Sequence, residues 1–266
     1  MALAPEAILL LVALLVVVAM TWLHHARAVN GRLPPRRPLP ALDPVHTALG
    51  RGAETGRAVH LSPGASVLGA ADGSRARTAE LLAGLLVVQR ISSEAALKGA
   101  PILVTSGDVI AHSAMRGSVR QAYQMAGQAR AYDASSVQLL AHNDKFAYAT
   151  GVATVYAREP LELSVLVGGF QQEFLLAGEE GAQRHLPQVV GTTGASALPL
   201  MLLTTPSTLI GEEVFAAEAY LDTEGSAQAR LLTQDGLRTV TIVVLIGGLL
   251  YSLLQPVLNL PPLPSP

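Results

Sequence analysis

The chain of 266 residues contains no cysteine. Disulfide bonds, thiolate catalysis and cysteine-based metal sites are therefore excluded together, and the composition fits a reducing compartment. Lysine is scarce, since Lys98 and Lys145 are the only two, and aromatic residues make up 4% of the chain. The formal net charge is −2. Such a balance supplies no general attraction to nucleic acid, so nucleic acid is not expected as a partner.

Two long apolar runs stand at the ends of the sequence. The first extends from Ala7 to Leu23 without a charged residue, and the second from Thr239 to about Leu254. A helix needs roughly 17–25 apolar residues to cross a hydrocarbon core of about 30 Å. Both runs reach or approach that length, so two transmembrane helices are predicted, with the lipid bilayer as a partner of the chain.

Each apolar run has an alternative interpretation. The first is near the length of a signal peptide, but its positive charges follow the apolar stretch, whereas those of a signal peptide precede it. The second run is also compatible with a buried core helix. Its adjacent glycines, Gly247 and Gly248, suit close packing between membrane helices.

Basic residues near the runs predict the orientation. They follow the first run and precede the second: Arg27, Arg32, Arg36, Arg37, Arg230 and Arg238. Basic residues next to a span stay on the cytoplasmic side. We therefore expect a multi-pass protein of the inner cell membrane, with the middle domain in the cytoplasm and both termini outside.

The chain divides into five segments on these grounds. Residues 6–24 form the first span and residues 25–46 a linker rich in Pro and Arg, which is expected to be extended. Residues 47–225 form the cytoplasmic domain. Residues 226–258 contain a juxtamembrane segment and the second span, and residues 259–266 are a tail rich in Pro.

Short β-rich runs alternate with helical stretches in the middle domain. Alternation of this kind is typical of a parallel sheet with helical crossovers, and near-continuous apolar runs such as LELSVLV suit strands buried on both faces. The predicted fold is a Rossmann-like α/β fold whose mostly parallel sheet of about five strands has flanking helices, bracketed by N- and C-terminal transmembrane helices. Strands are predicted at 57–61, 101–105, 137–141, 161–167 and 188–190, and helices at 45–49, 77–98, 109–128, 145–158, 170–183, 195–203 and 211–221.

Three strings resemble those of a known family: GRAVHLS at 56–62, TSGD at 105–108 and GEEVFAAEAYL at 211–221. The chain is similar in these strings and in its layout to uncharacterised bacterial membrane proteins that form a domain-of-unknown-function family. The resemblance covers most of the chain, spans included. It implies two spans around a cytoplasmic α/β domain, and it attaches no activity to them.

Ligands of open parallel sheets bind beyond the carboxyl ends of the strands. Five loops rich in Gly, Ser, Thr and Asp are predicted there, ahead of helix N-termini that suit an anion. The glycine-bearing loop 64–73 lacks both the GxGxxG spacing and the Gly-Lys-Ser/Thr ending of nucleotide-binding loops. The candidate ligand-binding residues are Ser62, Gly64, Gly107, Asp108, Asn143, Asp144, Gly169 and Thr192.

Capping competes with ligand binding at these loops. Asp108, Asp144 and Thr193 each stand where a helix is predicted to begin, and such residues cap helices. A metal site formed by His142, Asp144 and Asp108 is conceivable, but capping is favoured and no metal is predicted. Ser62 does not lie in a GxSxG elbow, so no catalytic residue is assigned and any cofactor stays unknown.

Three functions remain open at this point. The favoured one is a membrane-anchored assembly or partner-binding domain, with a homo-oligomer or a membrane-protein partner, because no catalytic signature stands out. The second is a sensor domain for a small ligand or nucleotide. The third is a membrane-anchored enzyme of hydrolase type that uses the strand-end loops.

Overall fold

A computed structural model describes residues 5–30, 37–66, 75–221 and 225–258. The chain separates into two compact units. One unit comprises residues 37–222, and the other combines residues 1–36 with residues 223–266.

The central unit contains a six-stranded sheet in which every neighbouring pair is parallel, in the order β3-β2-β1-β4-β5-β6. The direction in which successive strands are added across the sheet therefore reverses between β1 and β4, which is a topological switch point. All residues of β2 and β4 are buried, which explains their continuous apolar sequences. The strands are β1 (Ala58–Gly64), β2 (Ile102–Ser106), β3 (Val137–Leu139), β4 (Leu161–Gly169), β5 (Gln188–Thr192) and β6 (Thr208–Ile210).

Helices cover both faces of this sheet. In chain order the helices are α1 (Pro5–Val29), α2 (Asp43–Thr55), α3 (Arg75–Lys98), α4 (Val109–Met125), α5 (Lys145–Arg158), α6 (Phe174–Gln183), α7 (Leu198–Thr204), α8 (Glu213–Leu221) and α9 (Gly225–Leu258). Helices α2, α3, α4 and α8 share one apolar core with the sheet, and α5, α6 and α7 share the other. The prediction of an α/β fold with a parallel sheet and flanking helices is confirmed.

Several observed elements differ from the predicted ones, α2, β6 and α6 among them. Helix α2 continues through Gly50 to Thr55, because Val45, Ala48, Leu49 and Gly52 are buried at helical spacing. Strand β6, which has only three residues and lies at the sheet edge, was not predicted. Helix α6 begins four residues later than expected, after the loop that follows β4.

The second unit is a pair of antiparallel helices, α1 and α9. Nδ1 of His24 lies 3.2 Å from Oγ1 of Thr233, and one turn earlier in α1 Met20 packs against Gly236, where a Cβ atom would collide with it. In α9, the segment Ala229–Leu249 is long and apolar enough to cross a membrane, and it is largely exposed. The apolar segment Ala13–Val29 of α1 is shorter, so bracketing by two spans stays a prediction.

Candidate functional site

Two of the predicted aspartates cap helices at the carboxyl edge of the sheet. Asp108 is buried and accepts the backbone N–H of Ala111 at 2.7 Å, in the first turn of α4. Asp144 accepts the N–H of Ala147 at 2.9 Å, in the first turn of α5. Each carboxylate thus satisfies a backbone donor that the helix itself leaves unpaired. A further role of either residue in ligand binding stays a prediction.

Ser62 and Thr192 are buried at the ends of β1 and β5. The Ser62 hydroxyl is hydrogen-bonded to the Tyr148 hydroxyl, and it accepts the N–H of Gly64 at 3.0 Å. Oγ1 of Thr192 lies 3.3 Å from the carbonyl oxygen of Phe170 and accepts the N–H of Gly194 at 3.1 Å. Both hydroxyls therefore have partners within the protein.

Glycines allow close backbone contacts at and beside the switch point between β1 and β4. Gly64 pairs with Gly169 across the two strands, and a Cβ atom on Gly64 would lie 2.5 Å from the carbonyl oxygen of Gly169. Gly107 is equally confined, because its Cβ would lie 2.8 Å from Cα of Ala65. Ser66 donates to the Gly169 carbonyl at 3.1 Å. The three glycines allow backbone segments to meet where a ligand crevice was predicted.

The remaining candidates lie at the flanks of this switch point. Asn143 is exposed in the left-handed backbone region, with φ of 61°, in the loop after β3. Thr192 is on the opposite flank, near Phe170, which follows Gly169. Residues 67–74, which include most of the glycine-bearing loop after β1, lie outside the described residues. The structure thus brings Ser62, Gly64, Gly107 and Gly169 together, with Asp108 next to Gly107.

Glu80 is a buried carboxylate that sequence reasoning missed. It lies on α3 and accepts the backbone N–H of Thr193 at 2.6 Å, and it is also hydrogen-bonded to the Thr193 hydroxyl. Thr193 is therefore not the helix cap that the sequence suggested, since α7 begins only at Leu198. The available signal was a single acidic residue in an apolar part of the α3 sequence, Ala79-Glu80-Leu81-Leu82.

A buried chain of polar groups crosses the centre of the sheet. Nδ1 of His60 lies 2.8 Å from Oγ of Ser164 on β4, and Nε2 lies 2.9 Å from Oγ1 of Thr105 on β2. The Tyr156 hydroxyl lies 2.6 Å from Oγ of Ser164, and the Tyr148 hydroxyl lies 3.2 Å from Oγ1 of Thr105. All five side chains are buried. Since Tyr148 also contacts Ser62, hydrogen bonds connect the middle of the sheet with its carboxyl edge.

Burial sets the protonation states of this polar chain. It lowers the pKa of His60 to about 3, so the imidazole is neutral at physiological pH and has one donor and one acceptor nitrogen. Burial raises the pKa of Tyr148 to about 12 and that of Tyr156 well above its ordinary value. Tyr148 and Tyr156 are eight residues apart on α5, and this spacing was the signal in the sequence for a shared face.

The carboxyl edge carries exposed apolar side chains, which we call the apolar rim. They occupy the last position of an edge strand or the first turn of a helix that follows a strand. At least 38% of the surface of each is exposed, and Phe146 reaches 60%. The rim comprises Val109, Ile110, Leu139, Phe146, Leu175, Leu176, Ile210 and Phe215.

A polar groove of about 330 Å³ lies at the opposite edge, where β4 and β5 begin. We call it the amino-edge groove. Its lining includes three arginines, one histidine and two glutamates: Arg51, Arg57, Arg184, His185, Glu159 and Glu162. Among the described residues, no three His, Asp or Glu side chains are grouped so as to hold a metal ion.

Comparison with known proteins identifies the family. A family model described as a domain of unknown function, DUF6754, matches residues 3–259. The chain therefore belongs to this family, as the resemblance of its sequence strings implied. Neither the curated proteins nor the solved structures that were compared contain a match.

Proposed function

We propose that this member of the DUF6754 family is a membrane-anchored assembly domain, which uses the apolar rim to bind a second copy of the chain. The observation that carries the proposal is the position of the rim. Eight large apolar side chains are exposed along one edge of the sheet. Exposed apolar surface of this kind is typical of protein interaction sites, and six strands at a spacing of about 4.8 Å make the edge about 24 Å wide.

The polar groups of the same edge favour docking over capture of a small polar ligand. Asp108, Ser62 and Thr192 are buried and hydrogen-bonded inside the protein. A ligand would have to displace these bonds, and a buried polar group that loses its partner costs roughly 1–3 kcal/mol. An apolar partner surface requires no such exchange.

Charges at the rim favour a protein over a lipid surface. Asp144 and Glu213 are acidic and belong to helix N-termini, and Glu213 accepts the N–H of Ile210 at 2.9 Å. Lys145, which precedes Phe146 of the rim, donates to Oε1 of Gln171 at 2.7 Å. Anionic leaflets attract clustered basic residues, whereas acidic residues stand at the starts of α4, α5, α6 and α8, namely Asp108, Asp144, Glu173 and Glu213.

Anchoring supports a second copy as the partner. The exposed apolar segment Ala229–Leu249 has the length and composition of a span, and the antiparallel pairing of α1 with α9 is consistent with both termini on one side of an inner membrane. Copies tethered in the same bilayer have a raised effective concentration, so a modest apolar interface suffices for assembly. The cytoplasmic placement of the domain remains part of the proposal, on the basis of the arginines next to the spans.

The absence of cysteine allows a direct test of this interface. Leu175→Cys places a single thiol in the rim, and Met125→Cys places one at the exposed amino-edge end of α4 as the matched control. Both variants are treated in native membranes with a short bismaleimide. We expect cross-linked dimers of Leu175→Cys and few of Met125→Cys.

A second substitution separates a specific interface from random collision. Adding Phe146→Asp to Leu175→Cys places a charge in the rim and should abolish the cross-linked dimer, because an unpaired carboxylate would have to be buried. Equal cross-linking of Leu175→Cys and Met125→Cys, or no effect of Phe146→Asp, would contradict the proposal.

A further inference from the structure

The amino-edge groove is organised around the buried carboxylate of Glu162. Oε1 of Glu162 lies 2.6 Å from Nη2 of Arg51, at the end of α2, and Oε2 lies 3.7 Å from Nε of Arg57, just before β1. The Glu162 side chain is 3% exposed. One carboxylate therefore holds two guanidinium groups from different elements at the same wall of the groove.

The arginines keep donors for another anion. Nη2 of Arg57 donates to the carbonyl oxygen of Leu161 at 2.6 Å, so this guanidinium is fixed at two points. A guanidinium has five N–H donors, and these contacts use only part of them. The side chains of Arg51 and Arg57 are 62% and 51% exposed. Solvent and solutes thus have access to positively charged groups that are already oriented.

Arg184 is the third arginine in the lining of the amino-edge groove. Arg184, at the end of α6, is bound through Nε to Oε1 of Glu180 at 2.5 Å, which leaves its terminal nitrogens for other acceptors. His185 follows it in the left-handed backbone region, with φ of 53°. Glu159 also lines the groove and opposes an anion. Within the lining, the three arginines outnumber the two glutamates.

We propose that the amino-edge groove binds a small, water-soluble phosphorylated ligand through Arg51, Arg57 and Arg184. Arginine recognises phosphate by paired N–H donors in a fixed fork, and Glu162 orients the two forks before the ligand arrives. A volume of about 330 Å³ is at the lower end of the range of small-molecule sites. The lining is mainly polar, which suits a soluble phosphate ester. This site is separate from the apolar rim, so each proposal can fail without the other.

The test is titration calorimetry on the full chain in an uncharged detergent, with inorganic phosphate and pyrophosphate as probes. We expect saturable binding of both probes, with pyrophosphate the tighter because of its higher charge. Arg184→Gln should weaken binding about tenfold, which is the loss of one charge-assisted contact. Glu159→Gln should strengthen binding, because it removes the carboxylate that opposes the anion.

Arg158→Gln is the matched control, since Arg158 is exposed at the end of α5 and does not belong to the groove lining. Its affinity should equal that of the wild type. Arg51→Gln should also weaken binding, and if it unfolds the chain by leaving Glu162 with Arg57 as its one arginine partner, Arg184→Gln still decides the question. The proposal is overturned if the wild type shows no saturable binding, or if Arg158→Gln weakens it as much as Arg184→Gln.

Discussion

The carboxylate of Glu80 accepts the backbone N–H of Thr193 at 2.6 Å, which joins the first half of α3 to the loop after β5. Glu80 is 4% exposed, and Oγ1 of Thr192 lies 3.3 Å from the same carboxylate oxygen. Helix and loop are 113 residues apart in sequence. Because one buried carboxylate serves donors of two neighbouring residues, it positions the end of β5 against α3.

Removal of this carboxylate should destabilise the domain. Glu80→Ala leaves the Thr193 N–H without its acceptor, and a buried unsatisfied donor costs roughly 1–3 kcal/mol. Chemical unfolding of the full chain in detergent measures the loss. Glu179→Ala is the control, because Glu179 is exposed on α6 and should change the free energy of unfolding little. Equal stability of both variants would show that the Glu80 contacts contribute nothing.

The free energy of unfolding of the wild type should decrease as the pH is lowered below about 6.5, because of His60. Its pKa in the folded state is about 3, below the ordinary value of about 6.5 in the unfolded chain. Between these values the unfolded state binds more protons, so stability is retained above about pH 6.5 and falls by roughly 1.4 kcal/mol per pH unit as the pH decreases towards 3.

The variant His60→Gln separates the contribution of His60 to the pH dependence of stability from that of the carboxylates. His60→Gln keeps polar groups between Ser164 and Thr105 but does not titrate. The difference in unfolding free energy between wild type and His60→Gln, measured from pH 7 to pH 4, should change with the slope given above. A constant difference would mean that the pKa of His60 is the same in the folded and unfolded states.

Gly64 should not tolerate any side chain. Gly64→Ala places a methyl group 2.5 Å from the Gly169 carbonyl oxygen, at a φ of +101°. Overpacking alone typically costs about 1–3 kcal/mol, and the backbone strain adds to it. Gly50→Ala is the matched control, because Gly50 lies within α2 with open space around it. That substitution should stabilise the chain by roughly 0.5–1 kcal/mol, and thermal unfolding of both variants measures the contrast.

Substitutions should separate the helix-capping role of Asp108 and Asp144 from any role of these residues in ligand binding. Asp144→Ala and Asp108→Ala should each cost about 1 kcal/mol as lost helix caps. Asp144→Asn retains an acceptor for the Ala147 N–H and should restore most of the stability. If a ligand found at the strand-end loops loses its affinity in Asp144→Asn while the stability is kept, the carboxylate itself serves that ligand.

Reporter fusions test the orientation predicted from the arginines. Alkaline phosphatase, which is active outside the cytoplasm, should be active at either terminus and inactive when inserted at Pro38. A green fluorescent protein should show the reverse pattern. Phosphatase activity at Pro38 would place the middle domain on the other side and remove the cytoplasmic part of the proposed function.

The sequence predicted the α/β class because local patterns carry it. Helix α5, for example, is capped by Asp144 and ends at Arg158 as predicted. An Asx cap and an apolar periodicity act over a few residues, so both can be read from the local sequence. Strand β6 was not predicted, because its three residues are too few to show the apolar pattern of a strand. The antiparallel contact of His24 with Thr233 could not be read from either helix alone.

The candidate site divides in the same way. Sequence by itself determined which residues stand at the strand ends, since Ser62, Asp108 and Asn143 each follow or end an apolar run. Only the tertiary structure decided that Ser62 is turned towards Tyr148, that Gly64 meets Gly169 and that Arg51 and Arg57 share Glu162. These partners are more than 80 residues apart in sequence, and their meeting depends on strand order, which local propensity does not encode.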